Sequence, residues 1–269
     1  MSQLTDQTYL LTDQYRDASN LNARIQLHAR FSTNARGWWP WVFDQLDLPP
    51  ACHTLELGCG PGDLWWQNDG RIPPGWRITL SDFSPGMLDQ AWRNLGHIRE
   101  RFHFALIDAQ AIPFGDARFD AVIANHMLYH VPDRNKALEE MQRVLRPGGH
   151  LYATTIGQNH MRDLDELMAR FSPEMAPPAG HPPTSFLLEN GAQELDPWFA
   201  EVTRHRYIDD LVITEAAPLI AYVLSTSDKG ALAGERLARF TRFVEQDLAA
   251  HGAIRIGKDS GLFVARRGS

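Results

Sequence analysis

The chain has 269 residues, 43% hydrophobic and 22% charged, with 33 acidic against 26 basic side chains and a formal net charge of −7. That length can bury a substantial core, and an acidic balance is the wrong sign for steering onto a phosphate backbone, so no nucleic-acid partner is expected. The longest apolar run, Ala216–Leu224, contains a proline and is far too short to span a bilayer, so no membrane partner is expected either. Two cysteines, Cys52 and Cys59, make no disulfide framework and fit a reducing cytoplasm. The polar start of the chain, MSQLTDQTYLLTDQYRD, lacks the apolar run of a secretion signal, which points to the same compartment.

From Asp17 to Phe31 the pattern is helical, with Leu21, Ile25, His28 and Phe31 on one stripe. Trp38, Trp39 and Trp41 follow around Pro40. They read either as a plug sealing the helix against the core or as a wall of a substrate pocket. Cys52–Leu57 then reads as a buried strand that ends in an acid, Glu56, and breaks into Gly58, Gly60 and Gly62. Glycines suit such a turn because they accept positive φ and let a ligand approach the backbone. A helix-competent segment opens at Asp63, so its free N–H groups face whatever lies over the turn. The next strand, Arg77–Leu80, leads to Asp82, where a carboxylate can take both hydroxyls of a ribose. A dinucleotide fingerprint needs glycine at position 63, which is Asp, and no G-K-[ST] follows for a triphosphate cradle.

Ser84-Pro85 supplies an N-cap and a first-turn proline for a helix with Leu88, Ala91, Trp92 and Leu95 on its buried stripe. Phe102–Ile107, Phe119–Ala124 and His150–Thr155 are the third, fourth and fifth strands, and a helix from Pro132 fills the space before Pro147-Gly148-Gly149. Strands separated by helices of this length form parallel βαβ units with right-handed crossovers. Beyond Ile156, Met161–Phe171 reads as a helix, and five prolines between Ser172 and Thr184 read as a loop. Phe186–Phe199 returns to helical spacing, and Glu201–Tyr207 is strand-like. Ile213–Leu224 and Leu232–Leu248 are helical, and Ile254–Ile256 with Leu262–Ala265 form a terminal hairpin.

Four further segments follow the glycine turn: SDFSPGML, LIDAQAIPF, FDAVIANHMLYHVPD and RVLRPGGHLY. With E-L-G-C-G-P-G they resemble, in order and interval, the class I S-adenosylmethionine-dependent methyltransferases, most closely the branch acting on small molecules. The resemblance covers Cys52–Thr155. It implies an α/β, Rossmann-like, doubly wound, mostly parallel seven-stranded sheet with helical lid additions, integrated as one domain. Within it, 1–45 would be an N-terminal helical cap, 46–156 the S-adenosylmethionine-binding core, and 157–269 the rest of the sheet with acceptor-site insertions.

By the same resemblance Glu56, Gly58, Gly60 and Gly62 meet the donor's amino-acid portion, with Cys59, a small residue tolerated near the ligand, and Asn125 also counted among the cofactor-binding residues. Asp82 takes the ribose hydroxyls, Phe83 and Met87 flank the adenine, and Asp108, Ala109 and Gln110 meet its amino edge. The acceptor, a small molecule with an O or N nucleophile, is expected near Tyr15, His28, Trp38, His126 and Tyr129. His126, His130 and Tyr129 are the catalytic candidates, one histidine acting as base. His126 and His130 are spaced to seat a metal on a helix, but no acid or cysteine stands at ligand spacing, so no metal is expected. The alternatives are an RNA or protein methyltransferase and a non-catalytic donor-binding protein. Against the first stand the charge and the lack of an Asn-Pro-Pro-aromatic segment at Asn125. The residues leave the oligomeric state open.

Overall fold

Short apolar strands become parallel neighbours here because helices carry the chain back between them. β1 (Ala51–Leu57), β2 (Gly75–Asp82), β3 (Phe102–Leu106), β4 (Phe119–Asn125) and β5 (Leu145–Ile156) all run in one direction. β9 (Ser260–Arg266) lies antiparallel between β5 and β6 (Glu201–Tyr207), completing a seven-stranded sheet in the order β3-β2-β1-β4-β5-β9-β6. The chain steps outward from β1 to β3, then returns to set β4 on the other side of β1. That reversal opens a crevice beyond the C-terminal ends of β1 and β4, where open α/β sheets bind ligands. The structure is a computed structural model describing residues 5–9, 19–175, 185–226 and 232–269.

The helices are α1 (Gln7–Tyr9), α2 (Ser19–Phe31), α3 (Trp38–Asp44), α4 (Asp63–Trp66) and α5 (Pro85–Asn94) in the first half. In the second half they are α6 (Arg134–Val144), α7 (Arg162–Phe171), α8 (Gly191–Leu195), α9 (Ala216–Thr226) and α10 (Gly234–His251). Alternation along the strands divides their side chains between two cores. Ala121 and Ile123 pack with Trp65, Trp76, Leu80 and Ala91, whereas Val122 and Ala124 pack with Leu138, Met141, Leu151 and Phe263. A third core is separate from both. It joins Leu27 of α2, Leu164 of α7, Leu219 of α9 and Phe240 of α10 to a two-stranded sheet of β7 (Asp210–Ile213) and β8 (Ile254–Gly257). These elements make a cap beside the main sheet. No described helix is long and apolar enough to cross a membrane.

Four local expectations are corrected. The terminal hairpin does not form: β8 pairs with β7, and β9 enters the main sheet. Four successive buried residues, Ser260–Phe263, suit a strand flanked on both sides, whereas β8 alternates and suits a small sheet covered on one face. In 186–199 only α8 is helical, because Asn190 Oδ1 accepts from the Leu187 N–H at 2.7 Å and turns the chain first. Ile213 ends a strand, and the helix begins at Ala216, which leaves Pro218 in the first turn where a missing N–H costs nothing. α6 starts at Arg134, since the Asp133 side chain caps it by accepting from the Lys136 N–H at 3.0 Å.

One carboxylate joins cap and sheet at several points of the chain at once. Asp209, in the β6–β7 connection, is 4% exposed. It accepts from Ser32 Oγ at 2.7 Å, from the Thr33 and Asn34 N–H groups at 3.0 and 2.9 Å, and from Lys258 Nζ at 2.5 Å. Burial alone would raise this carboxyl, but Lys258 and Ser32 outweigh it and hold it below the usual range. Removing one partner of a buried charge pair strands the other. Asp209→Ala is expected to lower unfolding stability by about 3–5 kcal/mol in chemical denaturation; a loss below about 1 kcal/mol, the level of an exposed pair, would show that the carboxylate is not the joint.

Candidate active site

Gly58, Gly60 and Gly62 take φ of 70°, 53° and 81°, the left-handed region that strains residues with a Cβ. A Cβ on Gly58 would stand 2.9 Å from the Met127 Cβ, so this glycine also lets the exit from β4 pack over the turn. The Gly60 N–H donates to Asp82 Oδ2 at 2.9 Å, the Ser84 N–H donates to Oδ1 at 2.8 Å, and the Cys59 N–H donates to the Ser81 carbonyl at 2.8 Å. The turn after β1 is thus stitched to the end of β2. Burial pushes the Asp82 carboxyl up to about 6, although the Ser84, Gly60 and Phe83 N–H groups pull it down.

Glu56 is 1% exposed. Its Oε2 accepts from Trp65 Nε1 at 2.5 Å and its Oε1 from Asn125 Nδ2 at 2.9 Å, while Thr154 Oγ1 donates to Asn125 Oδ1 at 3.2 Å. Burial pushes this carboxyl up to about 7, against those two donors and with a smaller push from Asp82 and Asp63. The Cys59 thiol is buried and raised well above its ordinary value, which makes it a poor nucleophile. Ser84 Oγ caps α5 by accepting from the Met87 N–H at 3.4 Å, with Met87 buried and Phe83 half-buried beside it. Past β3, Asp108 accepts from the Gln110 N–H at 2.9 Å and from Gln110 Nε2 at 3.0 Å; Ala109 is buried between them. All the expected donor residues therefore stand around the C-terminal ends of β1 to β4.

On the other side of the crevice, His126 follows β4 at φ 49°. A non-glycine residue there is uncommon and carries strain that its surroundings must hold. They do so through its N–H, which donates to Thr154 Oγ1 at 3.0 Å and to the Thr154 carbonyl at 3.2 Å. The His126 ring lies 5.1 Å from Trp38 and 6.4 Å from Tyr129, and Tyr129 meets His130 edge-on at 4.5 Å. Trp38 packs in turn on Trp41 and, at 5.2 Å, on Tyr207. The tryptophans therefore line the crevice through Trp38 and seal α3 against β6 through Trp41. Burial, then Lys258 and His130, lowers His126 to about 4, so its imidazole is neutral at neutral pH. His28 reaches the same region from α2, 5.8 Å from the Tyr222 ring and 6.3 Å from His160. It is lowered to about 3 by burial first and Lys258 second. Tyr15 lies outside the described residues.

Several neighbours carried no sequence signal. Trp65 and Thr154 hold Glu56, Asn125 and His126 in place, yet each looks like an ordinary core or strand residue. Tyr207, Asp209, Lys258, His160 and Tyr222 come from segments far apart in the chain, and only tertiary packing brings them to the crevice.

Residues 55–153 match the family model for a methyltransferase domain. The ubiquinone/menaquinone biosynthesis C-methyltransferase UbiE of Hahella chejuensis is 36% identical over 119 residues, 43% of this chain and 47% of that protein. The chain spans about half the length of the curated relatives it matches first. Among solved structures, phosphoethanolamine N-methyltransferase 2 of Haemonchus contortus, in complex with S-adenosyl-L-methionine, has a TM-score of 0.59 at 17% identity, covering 100% of this chain and 61% of that one. The [4+2]-cyclase SpnF has a TM-score of 0.52 at 18% identity, covering 86% of this chain and 80% of that one; likenesses this distant show the fold alone. The motif segments, the sheet order and the match over residues 55–153 together make that stretch similar to a methyltransferase domain on a Rossmann-like sheet.

Proposed function

We propose that this chain moves a methyl group from S-adenosylmethionine to a small-molecule acceptor whose reacting atom sits beside His126. The observation that supports it most is the placing of Glu56, Asp82 and Asp108 at or just past the ends of three neighbouring strands, around a turn of three positive-φ glycines. In this reading Glu56, Asn125 and the turn hold the donor's amino-acid end, and Asp82 holds the ribose hydroxyls. Phe83 and Met87 flank the adenine, and Asp108, with Ala109 and Gln110, accepts from its amino group. The bound donor supplies an electrophilic methyl: the acceptor's electron pair makes the new bond as the carbon–sulfur bond breaks, its pair staying on sulfur. The protein's share is to align the two partners and keep water away. The cap, with α2 and α7, would close the acceptor side.

The expected O or N nucleophile is widened to carbon. UbiE is named a C-methyltransferase of quinone biosynthesis, which supports a hydroxylated ring as acceptor. His126 and His28 are then contacts first: as imidazoles of low pKa they are weak bases until negative charge develops beside them.

Asp82→Ala is expected to weaken donor binding by about 1.5–3 kcal/mol in calorimetry, and wild-type affinity in that variant would sink the ribose assignment. A second expectation concerns protons. Glu56 and Asp82 are raised to about 7 and about 6, so the folded protein retains protons that the unfolded chain has released. Without ligand, that contribution to stability is complete in the acid range and is lost as pH rises through 6 to 7. A cationic donor favours the ionised carboxylates. Calorimetry near pH 6.5 in buffers of different ionisation enthalpy should therefore show release of up to about one proton per donor bound, and no buffer dependence would contradict it. For the chemistry, His126→Ala should cut single-turnover rate about 10²–10⁴-fold if the imidazole takes the acceptor's proton; a loss of only a few-fold would leave it a contact alone.

A further inference from the structure

Among the described residues, a buried cation, Lys258, stands on the acceptor side of the crevice. Lys258 Nζ is 7% exposed in its side chain and stands 5.6 Å from the centre of the Tyr207 ring. That ring is 5.2 Å from Trp38, which is 5.1 Å from His126. Lys258 and Tyr207 also line a cavity of about 420 Å³. Of its other charged walls, Arg206 is paired with Asp259 and Glu189 and Arg162 with Glu166, while Asp163 accepts the Gly257 N–H.

Lys258 spends one donor on Asp209, whose oxygens are also taken by Ser32, Thr33 and Asn34. An ammonium has three donors. Asp209 is therefore saturated on its own side, while Lys258 has donors left for a ligand. The charge of this lysine reaches both histidines of the crevice, lowering His28 and His126 after burial has done so. Two buried polar atoms complete the picture. His28 Nδ1 and Trp38 Nε1 have no hydrogen-bond partner among the described residues, although such atoms are nearly always satisfied in a finished site. His160 cannot be a competing proton acceptor through Nδ1, which already receives the Asp259 N–H at 3.2 Å.

We propose that Lys258 is the oxyanion-binding group of the acceptor site and that the acceptor is a flat molecule methylated through an ionised hydroxyl, a phenol or enol rather than an amine. This rests on the methyl-transfer reading of the same crevice. Trp38, Tyr207 and the His126 ring supply flat walls for such a molecule. An ammonium acceptor would face the like charge of Lys258, whose own carboxylate partner Asp209 is already fully engaged. In the step itself the acceptor O–H breaks, the proton passes to an imidazole nitrogen of His126 or His28, and the electron pair stays on oxygen against the Lys258 ammonium. The charge delocalises into the ring, so either the oxygen or the ring carbon beside it can take the methyl. After transfer to carbon, that carbon's own proton is lost and the aromatic hydroxyl is regained.

The probe is 4-nitrophenol, whose ionised form is coloured, titrated with the full chain in the presence of S-adenosylhomocysteine. Wild type should bind it saturably and favour the phenolate at least about tenfold, one unit in apparent pKa. Lys258→Met should abolish that preference, Lys258→Arg should keep it, and benzylamine should not displace the probe. Because Lys258→Met strands Asp209, the double variant Lys258→Met/Asp209→Asn provides a neutral pair and should also lose the preference. Phenolate preference unchanged in the double variant, a probe bound only as neutral phenol, displacement by the amine, or no probe binding while S-adenosylhomocysteine still binds by calorimetry would each overturn the inference and leave the methyl-donor reading standing. Failure of S-adenosylhomocysteine to bind would instead remove that reading, and this inference with it.

Discussion

Burying the Asp209 carboxylate obliges separate parts of the chain to meet. Its oxygens need donors, and the donors come from the α2–α3 connection and from Lys258 in the β8–β9 connection, while Asp209 itself sits between β6 and β7. Each of these connections crosses from the cap to the main sheet. A further crossing, from β5 to α7, is tied alongside: the Gly157 N–H donates to the Asp259 carbonyl at 2.9 Å and the Met161 N–H to the Gly257 carbonyl at 3.0 Å. The cap has its own apolar core, so hydrophobic burial alone would not orient it over the sheet. The charged joint supplies that orientation. His28 and Tyr222 reach the crevice only because the cap is held this way.

The donor side obeys a related constraint with the opposite consequence. Glu56 is buried and Asp82 half-buried; among the described residues no cation pairs with either, and N–H donors hold both. Neutral donors offset part of the desolvation penalty and leave the rest as raised proton affinity. A carboxylate held in that state is primed for a positively charged or hydroxyl-rich ligand. The strain at Gly58, Gly60, Gly62 and His126 has the same character, because backbone in the left-handed region is tolerable where neighbouring strands over-determine it.

The placement of the residues expected around a donor was legible because its signals are local. Glu56, the glycines, Asp82 and Asp108 each sit at a strand end that can be located from an apolar run and the turn after it, and Ser84-Pro85 announces its helix within two residues. β6 was legible for the same reason. The acceptor half was not, because its contacts are made by tertiary placement. Ile254–Ile256 and Leu262–Ala265 look like hairpin partners in sequence, and only the position of the cap sends them to different sheets. Lys258 and Asp209 look like ordinary turn residues until that crossing buries them. The unperturbed pKa of histidine suggested a base at His126, but burial and Lys258 depress it, an effect no local pattern carries.

The two halves together give the crevice an electrostatic direction. Carboxylates gather where a sulfonium donor would lie, and a lysine stands where the acceptor would lie. A sulfonium and a phenolate are both charged before transfer, and their products are both neutral. Water stabilises the charged reactants strongly and the neutral products little, so removing water raises the reactants more than the transition state, in which charge is already partly cancelled. Fixed groups must then replace water just enough to let the reactants bind. Glu56 and Asp82 on one side and Lys258 on the other can do that for opposite charges, whereas a site lined by one sign could hold only one of the two. Neutral histidines between them fit the same scheme: an imidazolium there would compete with Lys258 for the oxyanion, and burial suppresses it until the acceptor's own proton arrives.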